Sequence, residues 1–132
     1  MAQEDRLKKQ IDQLARVLAR VLAKAMGAKS AQEITESIKE ADKELEENYS
    51  FKLSLFNIDS MEFASLLDGI PCEQITTIAD IYYEYALKCK NKQEQYPLFE
   101  KSLALYEKVN QLSKTYSVER QEKINEIKKQ LS

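Results

Sequence analysis

Residues 7–27, LKKQIDQLARVLARVLAKAMG, indicate the fold class most directly. Their apolar side chains recur at alternating steps of four and three residues, at Leu7, Ile11, Leu14, Leu18, Val21 and Ala25. This repeat has a period of about 3.5 residues, which is that of a helix with a continuous apolar seam. Gly27 follows the seam as a helix C-cap, so the pattern predicts a long amphipathic N-terminal helix over residues 3–26.

The rest of the chain shows the same helical periodicity and contains few turn-forming residues. Its 132 residues include only two glycines and two prolines, too few for the tight turns of a β-sandwich or barrel. Ser30 and Glu33 form a capping box ahead of a second helix, and Pro71 and Pro97 each mark the first turn of a further helix. We therefore expect an all-α fold of antiparallel helical hairpins with about six helices, one of them a short helix within residues 60–69.

The net charge of −2 conceals an uneven distribution along the chain. It is +3 over residues 1–27, −8 over residues 28–80 and +3 over residues 81–132. Opposite charges on successive parts can attract one another inside one fold or across a subunit interface. The basic surplus at either end is too small to indicate a nucleic-acid-binding protein.

Residue types that catalysis and metal binding commonly require are scarce. The chain has no histidine, which excludes Ser-His-Asp and Cys-His catalysis and histidine-liganded metal sites. Cys72 and Cys89 do not form a disulfide framework. Cys72 is followed by the acidic Glu73 rather than by a basic residue, and Cys89 falls on the face of Tyr82 and Ala86 as a small core hydrophobe. Glu4 and Asp5 stand where a signal peptide has basic residues. We expect no enzymatic activity, no cofactor, no metal and a cytoplasmic location.

The C-terminal part of the chain resembles a tetratricopeptide repeat (TPR), a hairpin of two helices. In the second helix of that repeat a small residue, an aromatic residue and another small residue recur at i, i+4 and i+7. Ser102, Tyr106 and Val109 occupy those places, and Ala79 with Tyr82 resembles the pattern of the first helix. The spacing from Ala79 to Ser102 is about eleven residues longer than in a standard repeat. The resemblance therefore implies a single TPR-like hairpin, since a solenoid requires three or more repeats.

The whole chain is similar to a family of small bacterial all-helical proteins, a domain of unknown function. The similarity involves Glu4-Asp5, residues 9–18, the acidic middle part and residues 116–120. It implies no substrate, cofactor or site. We expect one domain over residues 1–132 that comprises the N-terminal helix (1–27), an acidic helical middle with an apolar connector at 49–58 (28–69), and the TPR-like helices (70–132).

The apolar seam of the first helix is one candidate binding surface, and three interpretations of it are open. Leu7, Ile11, Leu14, Leu18 and Val21 can pack inside their own domain, pair with a second copy in a homodimer, or lie on an anionic membrane surface. The seam lacks the tryptophan or phenylalanine typical of interfacial helices, which favours the first two interpretations.

Tyr83 and Tyr85 form a second candidate surface, because both point away from the apolar stripe of their helix. Tyrosine is enriched at binding hot spots, so they can line a peptide-binding groove; alternatively they pack against residues 51–67. TPR domains that hold a peptide carboxylate use basic and amide residues where this chain has Thr76 and Asp80, so an acidic-tail ligand is not supported there. The sequence thus predicts a protein–protein interaction module that can self-associate, with a peripheral membrane-surface protein as the alternative.

Overall fold

A computed structural model describes residues 2–48 and 70–132 and contains five helices in that part of the chain. In chain order they are α1 (Ala2–Gly27), α2 (Ala31–Asn48), α3 (Cys72–Lys88), α4 (Lys92–Leu112) and α5 (Val118–Leu131). Since no strand occurs among these residues, the predicted all-α fold is confirmed for them. The predicted connector at 49–58 and the predicted short helix at 60–69 lie outside the described residues.

The first hairpin joins the basic α1 to the acidic α2. The Arg20 guanidinium donates to the Glu44 carboxylate over 3.0 and 3.4 Å, and Lys24 Nζ lies 3.2 Å from Glu40 Oε2. Because residue numbers rise along α1 as those of the partners fall along α2, the two helices are antiparallel. The attraction expected between the basic and acidic parts of the sequence therefore acts within one chain. These side chains are largely exposed, so each pair stabilises the hairpin by only about 0.2–1 kcal/mol.

The second hairpin, α3–α4, has the most extensive helix–helix contact in the described structure. The Ser102 hydroxyl donates to the Ala79 carbonyl over 2.8 Å, and the Gln95 side-chain amide donates to the Ala86 carbonyl over 3.0 Å. These pairs again run in opposite order along the chain, so the helices are antiparallel. Ser102 and Ala79 are both completely buried, and their small side chains allow the two backbones to approach closely.

Helix α3 is central to the described structure, because it contacts α1, α2 and α4 and binds α5 through the Asp80–Lys123 ion pair. Its sequence explains this position, since its buried side chains occupy more than one face: Gln74, Ile75, Ile78, Ala79, Ile81, Tyr82 and Ala86. The same core cluster includes Leu14 to Ala25 of α1, Ile34 and Ile38 of α2, and Ile124 and Ile127 of α5. Across residues 2–48 and 70–132, no helix combines the length and apolarity required to span a bilayer.

Two predicted helix starts are wrong by a few residues. Pro71 precedes α3 as its N-cap rather than standing in its first turn, and its carbonyl accepts from two backbone N–H groups of that turn. Pro97 lies inside α4, and residues 90–95, which the pattern predicts as loop, include the helix start. The reason is local, because the Asn91 side chain accepts from the Glu94 backbone N–H over 2.9 Å and caps the helix before Pro97 is reached.

Candidate binding cleft

Helices α2, α3 and α4 enclose a surface cleft of about 220 Å³. All three helices contribute to its mainly apolar lining, whose described residues are Thr35, Ile38, Lys39, Tyr82, Tyr85, Leu98 and Lys101. A cavity of about 150 Å³ is sufficient to hold a molecule of the size of benzene. The cleft therefore has room for one large apolar group.

Helical spacing explains why these residues share one surface. Ile38 and Lys39 lie three and four positions after Thr35, and the lining residues of α3 and of α4 are three positions apart, which places them on one face of each helix. Ile38 and Tyr82 are only 5% and 3% exposed and form the floor. Tyr85, Leu98 and Lys101 are half-buried and form the walls, whereas Lys39 is exposed at the rim.

A short chain of hydrogen bonds fixes the wall between α2 and α3. The Thr35 hydroxyl donates to the Ala31 carbonyl over 3.0 Å and lies 2.6 Å from the Tyr85 hydroxyl. A threonine hydroxyl has a single hydrogen, so Tyr85 donates to Thr35. This contact holds the Tyr85 ring against α2 and makes it a fixed part of the cleft.

Two lysines give the cleft its positive charge. Lys101 Nζ lies 5.5 Å from the centroid of the Tyr82 ring, within the range of a cation–π interaction, and burial lowers the pKa of its ammonium group. Neither Lys39 nor Lys101 forms an ion pair with a carboxylate in the described part of the chain. Asp42 is buried near Tyr82, and burial together with the Asp42 charge raises the pKa of the Tyr82 hydroxyl.

The predicted seam of α1 lies in the core of the chain itself. Leu14, Leu18 and Val21 are at most 3% exposed and belong to the core that α1 shares with α2 and α3. Ile11 is half-buried. Leu7 lies in α1, but its side chain is not among those that the structure describes. For the described side chains, packing within the domain accounts for the seam.

Tyr83 and Tyr85 point to different sides of α3 in the described structure. Tyr85 lines the cleft and faces α2, whereas the Tyr83 ring packs against Phe99 of α4, with ring centroids 6.1 Å apart. Lys123 Nζ of α5 lies 5.6 Å from the Tyr83 ring centroid. Two residues that are two positions apart on a helix point about 200° apart around its axis, which explains the separation. The predicted alternative, packing against residues 51–67, involves residues outside the described ones.

The sequence pattern did not mark Lys39, Leu98 or Lys101 as functional residues. Each is a common residue type in a charged or apolar helical stretch, and no motif surrounds it. No local signal is available to find them, because the cleft exists only where three helices from distant parts of the chain meet. Tyr82 was predicted as a core residue, and its burial agrees with that prediction.

Cys72 and Cys89 are both partly buried. Both thiols are free, and the Cys89 thiol donates to the Tyr85 carbonyl over 3.4 Å. Burial, assisted by the charge of Glu94, raises the pKa of Cys89, which keeps this thiol protonated at neutral pH. Within residues 2–48 and 70–132, no three cysteine, aspartate or glutamate side chains are grouped as metal ligands.

The chain matches no protein-family profile, no curated protein and no solved structure. The resemblances to a bacterial helical family and to a TPR hairpin therefore stay predictions.

Proposed function

We propose that this protein is a non-enzymatic helical module that binds a partner protein, and that the cleft between α2, α3 and α4 is its binding site. The observation that supports this function is an apolar cleft with a fixed aromatic wall at Tyr85 and two lysines that lack ion-pair partners among the described residues. An apolar centre with a polar rim and exposed tyrosine surface is typical of protein-binding hot spots. At about 220 Å³, the cleft fits an interface centred on one anchoring side chain.

A TPR-like arrangement of α3 and α4 is part of this proposal. Ser102 and Tyr106 are completely buried, and Ser102 contacts Ala79, as expected for the small and aromatic positions of such a hairpin. Helical hairpins of this kind commonly present binding surfaces to other proteins. Membership of the bacterial helical family and a cytoplasmic location belong to the same proposal.

The burial of the apolar face of α1 favours partner binding at the cleft over a homodimer or a membrane anchor formed by α1. A homodimer seam and a membrane anchor both require the apolar face of α1, yet Leu14, Leu18 and Val21 are inside the core. Exposing each such side chain costs about 1.5–3 kcal/mol. In addition, Arg20 and Lys24, which would contact anionic lipids, form ion pairs with α2. We therefore expect a monomer by light scattering and no flotation with anionic liposomes.

Affinity capture from a lysate of the source cells tests the proposed function. The full chain is compared with Leu98→Trp, which fills the cleft, and with Lys108→Gln, a control on α4 outside the cleft. Circular dichroism and cooperative unfolding establish that each variant is folded. We expect the wild type and Lys108→Gln to retain a common set of proteins that Leu98→Trp loses. If all three forms retain the same proteins, or none retains any, the cleft is not a protein-binding site.

A further inference from the structure

We infer that the cleft binds a segment of the partner protein in which a large apolar side chain stands next to a carboxylate. This inference rests on the proposed function and specifies which partner chemistry fits that site. It has two parts, a preference for an apolar anchor and a preference for a negative charge beside it, and each part follows from different residues.

The preference for an apolar anchor follows from the floor and walls of the cleft. Ile38 and Tyr82 are almost completely buried, and Leu98 is half-buried beside them. The Thr35 and Tyr85 hydroxyls are hydrogen-bonded to each other, and Thr35 also donates to its own helix. A polar group entering the cleft would lose hydration with few free partners to replace it. A leucine-sized or phenylalanine-sized side chain loses no hydrogen bond and fits the available volume.

The preference for a carboxylate follows from Lys101 and Lys39. Lys101 is half-buried, and loss of hydration lowers its pKa; among the described residues no carboxylate forms an ion pair with it. The Tyr82 ring, 5.5 Å away, compensates only part of that loss. An incoming carboxylate would stabilise the ammonium group of Lys101, and Lys39 on the opposite helix adds charge of the same sign.

This site differs from the one at which the sequence argued against an acidic ligand. Thr76 and Asp80 of α3 occupy that other site, and neither residue lines the cleft. The positive charge is supplied instead by α2 and α4, which a comparison of α3 with a TPR helix does not include.

Titration of the ¹⁵N-labelled full chain with two small probes tests the inference. N-acetyl-Phe-Glu-amide has the apolar side chain and the carboxylate, whereas N-acetyl-Phe-Gln-amide is its neutral isostere. We expect both to shift the backbone amide signals of residues 35–39, 82–85 and 98–101. The acidic probe should bind about threefold to fivefold more tightly at low salt, as is typical of one partly exposed ion pair, and 0.5 M NaCl should remove that difference.

Charge variants identify the source of the preference. Lys101→Gln should bind both probes equally, whereas Lys108→Gln, a lysine of the same helix outside the cleft, should keep the wild-type preference. If Lys101→Gln does not fold, Lys39→Gln replaces it, because Lys39 is exposed. A smaller but measurable loss of preference is then the expected result.

Three outcomes would overturn the inference. Equal binding of both probes by the wild type removes the carboxylate preference while leaving the proposed function intact, since protein capture is measured separately. If millimolar probe shifts no backbone amide signal of the cleft residues, the cleft does not bind an apolar anchor. A concentration-dependent dimer that Lys101→Gln abolishes would identify a second copy of this chain as the occupant instead.

Discussion

Tyr106 is completely buried, and its hydroxyl donates to the Asp80 carboxylate, which also accepts from Lys123 Nζ over 2.9 Å. Side chains of α3, α4 and α5 thereby meet at one carboxylate. A partly buried charge is costly unless it is paired and hydrogen-bonded, so both donors stabilise Asp80. Burial and the Asp80 charge raise the pKa of Tyr106, which keeps the phenol a neutral donor.

Replacing Tyr106 by phenylalanine should destabilise the protein by about 1.5–3 kcal/mol, because it removes a hydrogen bond to a charged group and leaves Asp80 with one donor fewer. Urea unfolding followed by circular dichroism measures the change. Tyr116→Phe is the matched control, since Tyr116 is 72% exposed and its hydroxyl is accessible to water. For the control, we expect the free energy of unfolding to change by less than about 0.5 kcal/mol. Equal losses in the two variants would contradict the role of the Asp80 contact.

At the scale of elements, the α1–α2 hairpin combines buried apolar packing with exposed charge pairing. The apolar faces of both helices are in the core, and the Arg20–Glu44 and Lys24–Glu40 pairs lie along the solvent side. Apolar packing provides most of the stability of such a hairpin, because exposed ion pairs are individually weak. The ion pairs have a further effect, since they favour the antiparallel alignment in which opposite charges are adjacent.

The loss of stability caused by reversing one charge of this hairpin should be recovered when the charge of its ion-pair partner is also reversed. We expect Arg20→Glu to destabilise the protein by about 0.5–1 kcal/mol at low salt, because Glu44 then faces a like charge. The double variant Arg20→Glu/Glu44→Arg should recover most of that loss, and 0.5 M NaCl should reduce the effect. Denaturant midpoints provide the measurement. Arg16→Glu, an exposed arginine of the same helix, is the control; a loss as large as that of Arg20→Glu would refute specific pairing.

At the scale of the whole molecule, the titrating groups predict how stability depends on pH. Burial raises the pKa of both Tyr82 and Tyr106 above the value of about 10 that tyrosine has in an unfolded chain. Above that pH the unfolded state binds fewer protons than the folded state, so stability falls as pH rises. The raised pKa of Cys89 acts in the same direction above about pH 8.5. The chain has no histidine to titrate near neutrality.

We therefore expect nearly constant stability between pH 6 and 8 and a progressive loss above about pH 10. Urea midpoints measured from pH 6 to 11 test this profile, and tyrosinate absorbance reports when buried phenols ionise. Tyr106→Phe should show a smaller alkaline loss than the wild type, because it lacks one of the two buried phenols. A midpoint that stays constant up to pH 11 would show that these phenols are not buried in solution.

Local chemistry accounts for the features that the sequence predicts well. An α-helix forms from hydrogen bonds four residues apart, and its buried face repeats every 3.6 residues, so periodicity in residues 7–27 and 75–109 indicates helices directly. Helix ends were less accurately predicted at Pro71 and Pro97. At α4 the capping side chain of Asn91 outweighed Pro97 as a start signal, whereas Pro71 is itself the N-cap of α3.

The arrangement of the helices, and with it the proposed binding cleft, depends on contacts between residues far apart in the chain. Thr35 and Tyr85 are 50 positions apart, and Asp80 and Lys123 are 43 positions apart. Periodicity shows that a helix has an apolar face but not which neighbour covers that face. The sequence therefore allowed three interpretations of the α1 seam. The packing of α1 against α2 and α3, the separation of Tyr83 from Tyr85 and the existence of the cleft all follow from how the helices are arranged, because each requires side chains of several helices at once.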